Sequence, residues 1–163
     1  MQNDSWKENS LKVGDREFKN RTDYYLFPSD NPDQPLLQLK EVVFVGYGIE
    51  DPKYNDYGKT DVEGKAVIFY DGEPMGNDGR SLITGTEFRS SWSLDWKRKV
   101  KLAKQKGAVM AFIIDSNFEK NLKDNRRKVS TWGWRSQSPD VAGADKTMIN
   151  NLFISPAVAD AIL

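Results

Sequence analysis

The sequence predicts a single, β-rich α/β domain of mixed strands with a few helices, and three apolar segments indicate it. Residues 42–49 and 65–70 are rich in β-branched and aromatic residues, and both lead into glycine-containing turns. Residues 109–114 form a continuous apolar run that is too short for most helices and follows an amphipathic segment. Strand, helix and strand in this order predict one right-handed crossover unit.

The beginning of the chain carries few apolar residues. Residues 1–23 are polar and charged, so we expect a loosely held lead-in. Residues 24–27 form a short aromatic run that Pro28 stops. Residues 29–35 contain Asp, Asn and two prolines, which predicts a loop, and residues 36–39 then begin a short strand.

The first predicted buried strand covers residues 42–49. Gly46 and Gly48 lie near its end, where glycine indicates a bulge or a close approach of the backbone. Residues 51–58 are a turn-rich connector, and residues 61–64 are a tight turn. The second buried strand, residues 65–70, is ended by an Asp-Gly pair, and a long glycine-containing loop follows over residues 73–85.

Residues 91–106 carry the clearest helix pattern. Ser93 is the expected N-cap, and Gly107 is typical of the position after a helix end. The basic last turn suits the helix dipole. One apolar stripe has the spacing i, i+4, i+8 and i+11 and consists of Trp92, Trp96, Val100 and Ala103. Its polar neighbours are Lys97, Arg98, Lys101 and Lys104.

The last third of the chain predicts less regular structure. Residues 118–128 are either a short helical turn or a mobile loop. Residues 148–154 alternate imperfectly and predict another strand. Ser155 and Pro156 form a strong helix start, with a hydroxyl N-cap and proline at the first helical position. The apolar helix that follows stops at the chain end, so we expect a fragment of a longer protein.

Composition excludes several kinds of chemistry. The 163 residues contain no Cys and no His, which excludes Ser-His-Asp and Cys-His catalysis and most zinc sites in this chain. Sites built from carboxylates or lysine stay open. The 24 basic and 24 acidic residues give a net charge of zero, so no strong field indicates nucleic acid or an anionic membrane. No apolar run approaches the ~20 residues that a membrane span needs.

Each candidate site has a structural alternative. The Gly46-Tyr-Gly48 pattern follows a strand but does not complete a phosphate-binding motif, which favours structural glycines. The basic segment 97–106 binds an anionic polymer or is a solvated helix face, and the neutral charge favours the face. Two oxygen-rich groups bind calcium or only form turns: Asp51, Asn55 and Asp56, and Asp71, Asn77 and Asp78. Trp132 and Trp134 either stack on a ligand or close a barrel.

An ordered set of segments resembles the protease-associated (PA) domain. The sequences Phe-Val-Gly-Tyr-Gly-Ile and Tyr-Asn-Asp-Tyr make it most similar to the PA insert of family-28 zinc aminopeptidases. The resemblance covers residues 39–163, after a partly ordered lead-in of residues 1–38. The segments are residues 42–48 (Val-Val-Phe-Val-Gly-Tyr-Gly), 61–67 (Asp-Val-Glu-Gly-Lys-Ala-Val), 103–108 (Ala-Lys-Gln-Lys-Gly-Ala), 109–114 (Val-Met-Ala-Phe-Ile-Ile) and 154–163 (Ile-Ser-Pro-Ala-Val-Ala-Asp-Ala-Ile-Leu).

The resemblance implies a fold of swivelling β/β/α layers, or an open β-barrel, flanked by two or more helices. It implies a non-catalytic module that helps to recognise peptide or protein substrates, covers the active site and lies beside a parent peptidase domain. The parent enzyme is expected to be a secreted or periplasmic hydrolase that carries the zinc, while this chain holds no catalytic residue, metal or cofactor. The alternative is a carbohydrate-binding module that uses Trp132 and Trp134. Five glycines are expected to form structural turns rather than a binding site: Gly46, Gly48, Gly64, Gly72 and Gly107.

Overall fold

A five-stranded mixed sheet organises the fold in the computed structural model, which describes residues 10–32, 38–129 and 148–163. The strands of these residues are β1 (Ser10–Val13), β2 (Arg16–Lys19), β3 (Tyr24–Tyr25), β4 (Val42–Phe44), β5 (Glu50–Asp51), β6 (Tyr54–Asn55), β7 (Ala66–Tyr70), β8 (Met110–Ile114) and β9 (Asn150–Ile154). The helices are α1 (Ser91–Leu94), α2 (Trp96–Gln105), α3 (Phe118–Asp124) and α4 (Pro156–Ile162).

The sheet has the strand order β3-β9-β8-β7-β4. Strands β4, β7, β8 and β9 are parallel, and the short edge strand β3 runs antiparallel to β9. β1 with β2, and β5 with β6, form separate antiparallel hairpins. Helices α1 and α2 lie between the parallel strands β7 and β8 in the chain, which confirms the predicted strand–helix–strand unit and the mixed α/β class.

The core lies on both faces of the sheet because strand side chains alternate in direction. On one face, Val67 and Phe69 of β7 belong to a buried cluster that includes Val100 and Ala103 of α2. On the other face, Ile68 belongs to a cluster completed by α4. All five residues of β8 are buried, as expected for a central parallel strand that is covered on both sides.

The first predicted buried strand is shorter and more exposed than its composition suggested. β4 ends at Phe44, which is 47% exposed, and none of its three residues is fully buried. β4 lies at the sheet edge with β7 as its one neighbour, so it lacks the cover of an inner strand. The remainder of the predicted strand turns away through Gly46 and Gly48, which both have positive φ.

The predicted single helix over residues 91–106 is two helices. Ser90 caps α1 by accepting a hydrogen bond from the Trp92 amide, and Asp95 caps α2 by accepting one from the Lys97 amide. The prediction that Ser93 is the N-cap is therefore wrong. Gly107 follows the end of α2 with φ of 95°, as predicted for the residue after a helix.

The predictions for residues 118–128 and 148–156 agree more closely with the structure. Residues 118–128, which predicted a helical turn or a loop, contain the two-turn helix α3. β9 lies within the predicted strand 148–154. Ser155 accepts a hydrogen bond from the Val158 amide and starts α4, as its sequence indicated.

The lead-in of residues 1–38 contributes to the core. Tyr24, Tyr25 and Leu26 are at most 2% exposed, and β3 pairs with β9 from the other end of the chain. The short strand expected over residues 36–39 is absent at residues 38–39, while residues 36–37 lie outside the described part. A domain boundary after residue 38 would therefore separate β3 from its partner strand.

Candidate functional site

A cleft of about 310 Å³ lies at the carboxyl ends of the parallel strands. Asp71 follows β7 directly and lines this cleft, while Asp115 follows β8 and lies beneath it, bonded to two lining side chains. The carboxyl ends of parallel strands are where open α/β sheets bind ligands, because helices and loops leave a crevice there. The cleft is therefore the candidate functional site.

The apolar wall of the cleft is aromatic. The Trp96 ring meets the Phe153 ring edge-on at a centroid distance of 4.9 Å, and Phe27 stacks against Trp96 at 5.8 Å. Tyr25 stacks on Phe153 at 5.0 Å with an interplanar angle of 3°. Strands β3 and β9, helix α2 and the segment that follows β3 supply these rings, so the wall exists only when these parts of the chain are assembled.

Both oxygens of the Asp115 carboxylate already accept hydrogen bonds from the chain, so this carboxylate is not available to a ligand. The Tyr25 hydroxyl donates to Oδ2 at 2.7 Å, the Asn117 amide donates to Oδ1 at 2.9 Å, and the Asn121 side chain donates to both. Burial, followed by the hydrogen bond to Asp115, raises the pKa of Tyr25 far above its usual range. Tyr25 therefore remains a hydroxyl donor that joins β3 to β8.

A buried lysine lies behind Asp71. The Lys99 side chain of α2 is 0% exposed, and its ammonium group donates to the carbonyl oxygens of Tyr70, at 3.2 Å, and Gly72. Burial lowers the pKa of Lys99 to about 8, against the attraction of Asp71, Asp56 and Glu73. Burial likewise raises the pKa of Asp71, and the attraction of Lys99 opposes this shift.

Sequence reasoning missed Lys99. The signal was present, because Lys99 lies three residues after Trp96 and four before Ala103, on the apolar stripe of the helix. The burial of Lys99 was not predicted because lysine is seldom fully buried.

The backbone amides of the loop from Gly46 to Ile49 bind a carboxylate of the same chain, that of Asp56. The Asp56 carboxylate accepts the amides of Tyr47 and Ile49, each at 3.1 Å. The Tyr54 hydroxyl donates to its other oxygen at 2.6 Å. The interpretation of Gly46 and Gly48 as structural glycines agrees with this geometry, since both have positive φ. The other predicted turn glycines, which are Gly64, Gly72 and Gly107, have positive φ as well.

Several members of the two oxygen-rich groups accept hydrogen bonds from the chain itself. Asn55 accepts the amides of Tyr57 and Gly58, and Asp51 accepts the Trp92 indole N–H at 3.2 Å. Asp78 accepts the Arg80 amide. Within residues 10–32, 38–129 and 148–163, no cluster of three His, Cys, Asp or Glu side chains could hold a metal ion.

Glu73 fastens the long loop that follows β7. Its carboxylate accepts hydrogen bonds from the Ser90 amide at 2.6 Å, from the Ser90 and Ser93 hydroxyls, and from Ser81. Burial acts to raise the pKa of Glu73, but these hydrogen bonds outweigh it and lower the pKa. The ionised carboxylate therefore ties the loop to the start of α1.

Three basic residues of the segment 97–106 interact with the fold itself. Lys97 forms an ion pair with Asp30 at 3.2 Å, Arg98 lies 3.8 Å from the centre of the Trp92 ring, and Lys106 pairs with Glu50. This favours the solvated-face interpretation over a nucleic-acid interface. Trp132 and Trp134, the predicted binding residues, lie outside the described residues.

Comparisons with known protein families, curated proteins and solved structures found no match for this chain. Among the residues that the structure describes, no helix combines the length and apolar character that crossing a membrane requires.

Proposed function

We propose that this chain is a non-catalytic recognition module of the protease-associated type that binds peptide or protein substrates for a zinc-dependent, aminopeptidase-like metallopeptidase. The parent hydrolase would be secreted or periplasmic and would supply the zinc. The observation that carries the proposal is the aromatic cleft at the carboxyl ends of β7 and β8. Clefts with apolar walls and a few polar groups are the usual form of ligand sites.

Two polar groups beside the cleft support recognition rather than bond cleavage. Asp115 is held by Tyr25, Asn117 and Asn121, and the Lys99 ammonium is buried against backbone carbonyls. A general base or nucleophile must reach the substrate. These groups instead support the walls against which a ligand would lie.

The segments that carry the PA resemblance form the framework around this cleft. Residues 42–48, 61–67 and 109–114 contribute to the parallel strands β4, β7 and β8. Residues 103–108 end α2, and residues 154–163 form the end of β9 and α4. The resemblance and the cleft therefore support the same role, in which the framework presents a binding surface.

The test measures binding of dye-labelled peptide libraries by fluorescence anisotropy. We expect Trp96→Ala to weaken binding at least tenfold, because a central aromatic anchor is typically worth ~2 kcal/mol or more. Phe88→Ala is the matched control, since Phe88 is 71% exposed and does not line the cleft. Circular dichroism checks that both variants fold. Equal affinity of Trp96→Ala and the unmodified chain would place the binding site elsewhere.

The non-catalytic part of the proposal has its own test. The chain is incubated with peptide substrates and zinc, and free amino acids are quantified. We expect no release above the buffer control, and measurable aminopeptidase activity of the purified chain would contradict the proposal.

A carbohydrate-binding module is the second candidate function. The aromatic rings of the cleft lie near the amide side chains of Asn121 and Asn125, a combination that also suits sugars. A glycan panel separates the two candidates. Saturable glycan binding that is abolished by Trp96→Ala, or by Trp132→Ala with Trp134→Ala, would favour the carbohydrate function, and peptide binding that Trp96→Ala abolishes would favour the first.

A further inference from the structure

We propose that the cleft recognises a lysine side chain of the bound peptide, and that Asp71 accepts the hydrogen bond from its ammonium group. This inference rests on the proposed peptide-binding function and names the group that is bound.

Asp71 differs from the other carboxylates that are buried or half-buried near it. Asp56, Glu73 and Asp115 each accept at least three hydrogen bonds, on both oxygens. Asp71 accepts one, from the Gly72 amide to Oδ1 at 2.9 Å. Among the described residues its Oδ2 has no hydrogen-bond partner. Because Asp71 is half-buried and lines the cleft, this oxygen is available to a ligand.

The nearby charges leave the cleft suited to a cation. Lys99 attracts Asp71, but its ammonium donates to the Tyr70 and Gly72 carbonyls. The two carboxyl groups of Asp71 and Asp115 therefore outnumber the one buried amino group, that of Lys99. The Lys97–Asp30 ion pair in the cleft wall adds no net charge.

Lys128 is the charge that opposes this assignment, since it lines the cleft and is exposed. Its charge is at the solvent side and is screened, whereas Asp71 is half-buried. Removing the Lys128 charge should therefore strengthen the binding of a cation.

The shape of the site favours lysine over other cations. The rings of Phe27, Trp96 and Phe153 offer an apolar wall for the four methylene groups of lysine. One free carboxylate oxygen suits a compact ammonium, whereas arginine binds best to two oxygens in parallel.

The experiment uses calorimetric titration with acetylated, amidated peptides of the form Gly-Gly-X-Gly-Gly. X is lysine, arginine or norleucine, which keeps the lysine stem without its charge. A fourth peptide has a free N-terminus and leucine at X. We expect the lysine peptide to bind about tenfold or more tightly than the norleucine peptide, as is typical of hydrogen bonds between charged groups.

Three variants locate the effect. Asp71→Asn should abolish the preference for lysine over norleucine, while Asp78→Asn, at an exposed carboxylate outside the cleft, should preserve it. Lys128→Glu changes only the rim and should raise the affinity for the lysine peptide by roughly two- to fivefold. Weaker binding in Lys128→Glu would show that the bound group is an anion and overturn the proposal.

The outcomes distinguish the two proposals. Equal binding of the lysine and norleucine peptides overturns the lysine assignment but leaves peptide recognition standing. Stronger Asp71-dependent binding of the arginine peptide or of the free N-terminus also overturns it. Absence of binding by every peptide, at millimolar concentration, overturns both proposals.

Discussion

At the scale of single residues, Lys99 shows how the fold changes the chemistry of a side chain. Its ammonium is fully buried, bonded to two carbonyl oxygens at the end of β7. Burial disfavours the charged form, so the pKa falls from 10.5 to about 8 although Asp71, Asp56 and Glu73 attract the charge. The protonated lysine is therefore retained at a net cost to stability.

This cost predicts an unusual pH dependence. Between about pH 8 and 10.5 the folded chain has lost the Lys99 proton while the unfolded chain keeps it. Unfolding then takes up a proton, so the Lys99 contribution to the free energy of unfolding rises with pH, by on the order of 3 kcal/mol in total. Urea denaturation of the unmodified chain and Lys99→Met over this range measures the difference.

Lys59→Met, at an exposed lysine, is the control, and its difference from the unmodified chain should not rise in this way. A difference for Lys99→Met that stays flat or falls between pH 8 and 10.5 would contradict the prediction. A constant offset added to this rise is compatible with the prediction, because the loss of the two carbonyl hydrogen bonds affects stability at every pH.

At the scale of elements, the sequence predicted the type of each helix or strand better than the residues at which it begins and ends. The apolar stripe of residues 91–106 is helical, yet Asp95 starts a new helix because its carboxylate accepts the Lys97 amide. Predicted strand 42–49 ends at Phe44, because the chain turns to wrap the Asp56 carboxylate. Both ends depend on a hydrogen-bond partner, which periodicity does not identify.

The turn at Gly48 gives a prediction for this element. A Cβ at Gly48 would lie 2.9 Å from Cγ of the buried Phe69, and φ is +67°. We expect Gly48→Ala to lower the free energy of unfolding by about 2–5 kcal/mol, the sum of left-handed backbone strain and overpacking. Thermal or urea denaturation measures this loss.

Gly58→Ala is the matched variant. Gly58 also has positive φ, but a Cβ there would meet no atom within 4 Å. Its loss should be confined to the backbone term of about 1–2 kcal/mol. Equal losses for the two alanine variants would mean that contact with Phe69 does not restrict this loop.

At the scale of the whole molecule, the lead-in joins the two ends of the chain. β3 pairs with β9, so Tyr24 lies opposite Ile154 and Tyr25 opposite Phe153. The family resemblance covers only residues 39–163, which placed this segment before the predicted domain. Pairing between segments so distant in the chain leaves no local signal.

Removal of the lead-in tests its contribution. A chain beginning at Leu39 lacks Tyr24, Tyr25 and Leu26, and a chain beginning at Ser10 keeps them. The three buried side chains contribute roughly 5–9 kcal/mol, which is comparable to the 5–15 kcal/mol stability of a typical domain. We therefore expect no cooperative urea transition for the shorter chain. Similar transition midpoints for both chains would show that residues 39–163 fold by themselves.

The sequence by itself determined the local features: the β-rich segments, the glycines with positive φ, the helical stripe and the Ser155–Pro156 helix start. Each depends on neighbours within a few positions, so local steric and hydrogen-bonding rules suffice. Only the tertiary structure decided the strand order and the cleft. Tyr25 and Asp115 are 90 positions apart and meet because β3, β9 and β8 lie side by side. Strand pairing of this kind depends on the packing of the whole sheet, which no single segment encodes.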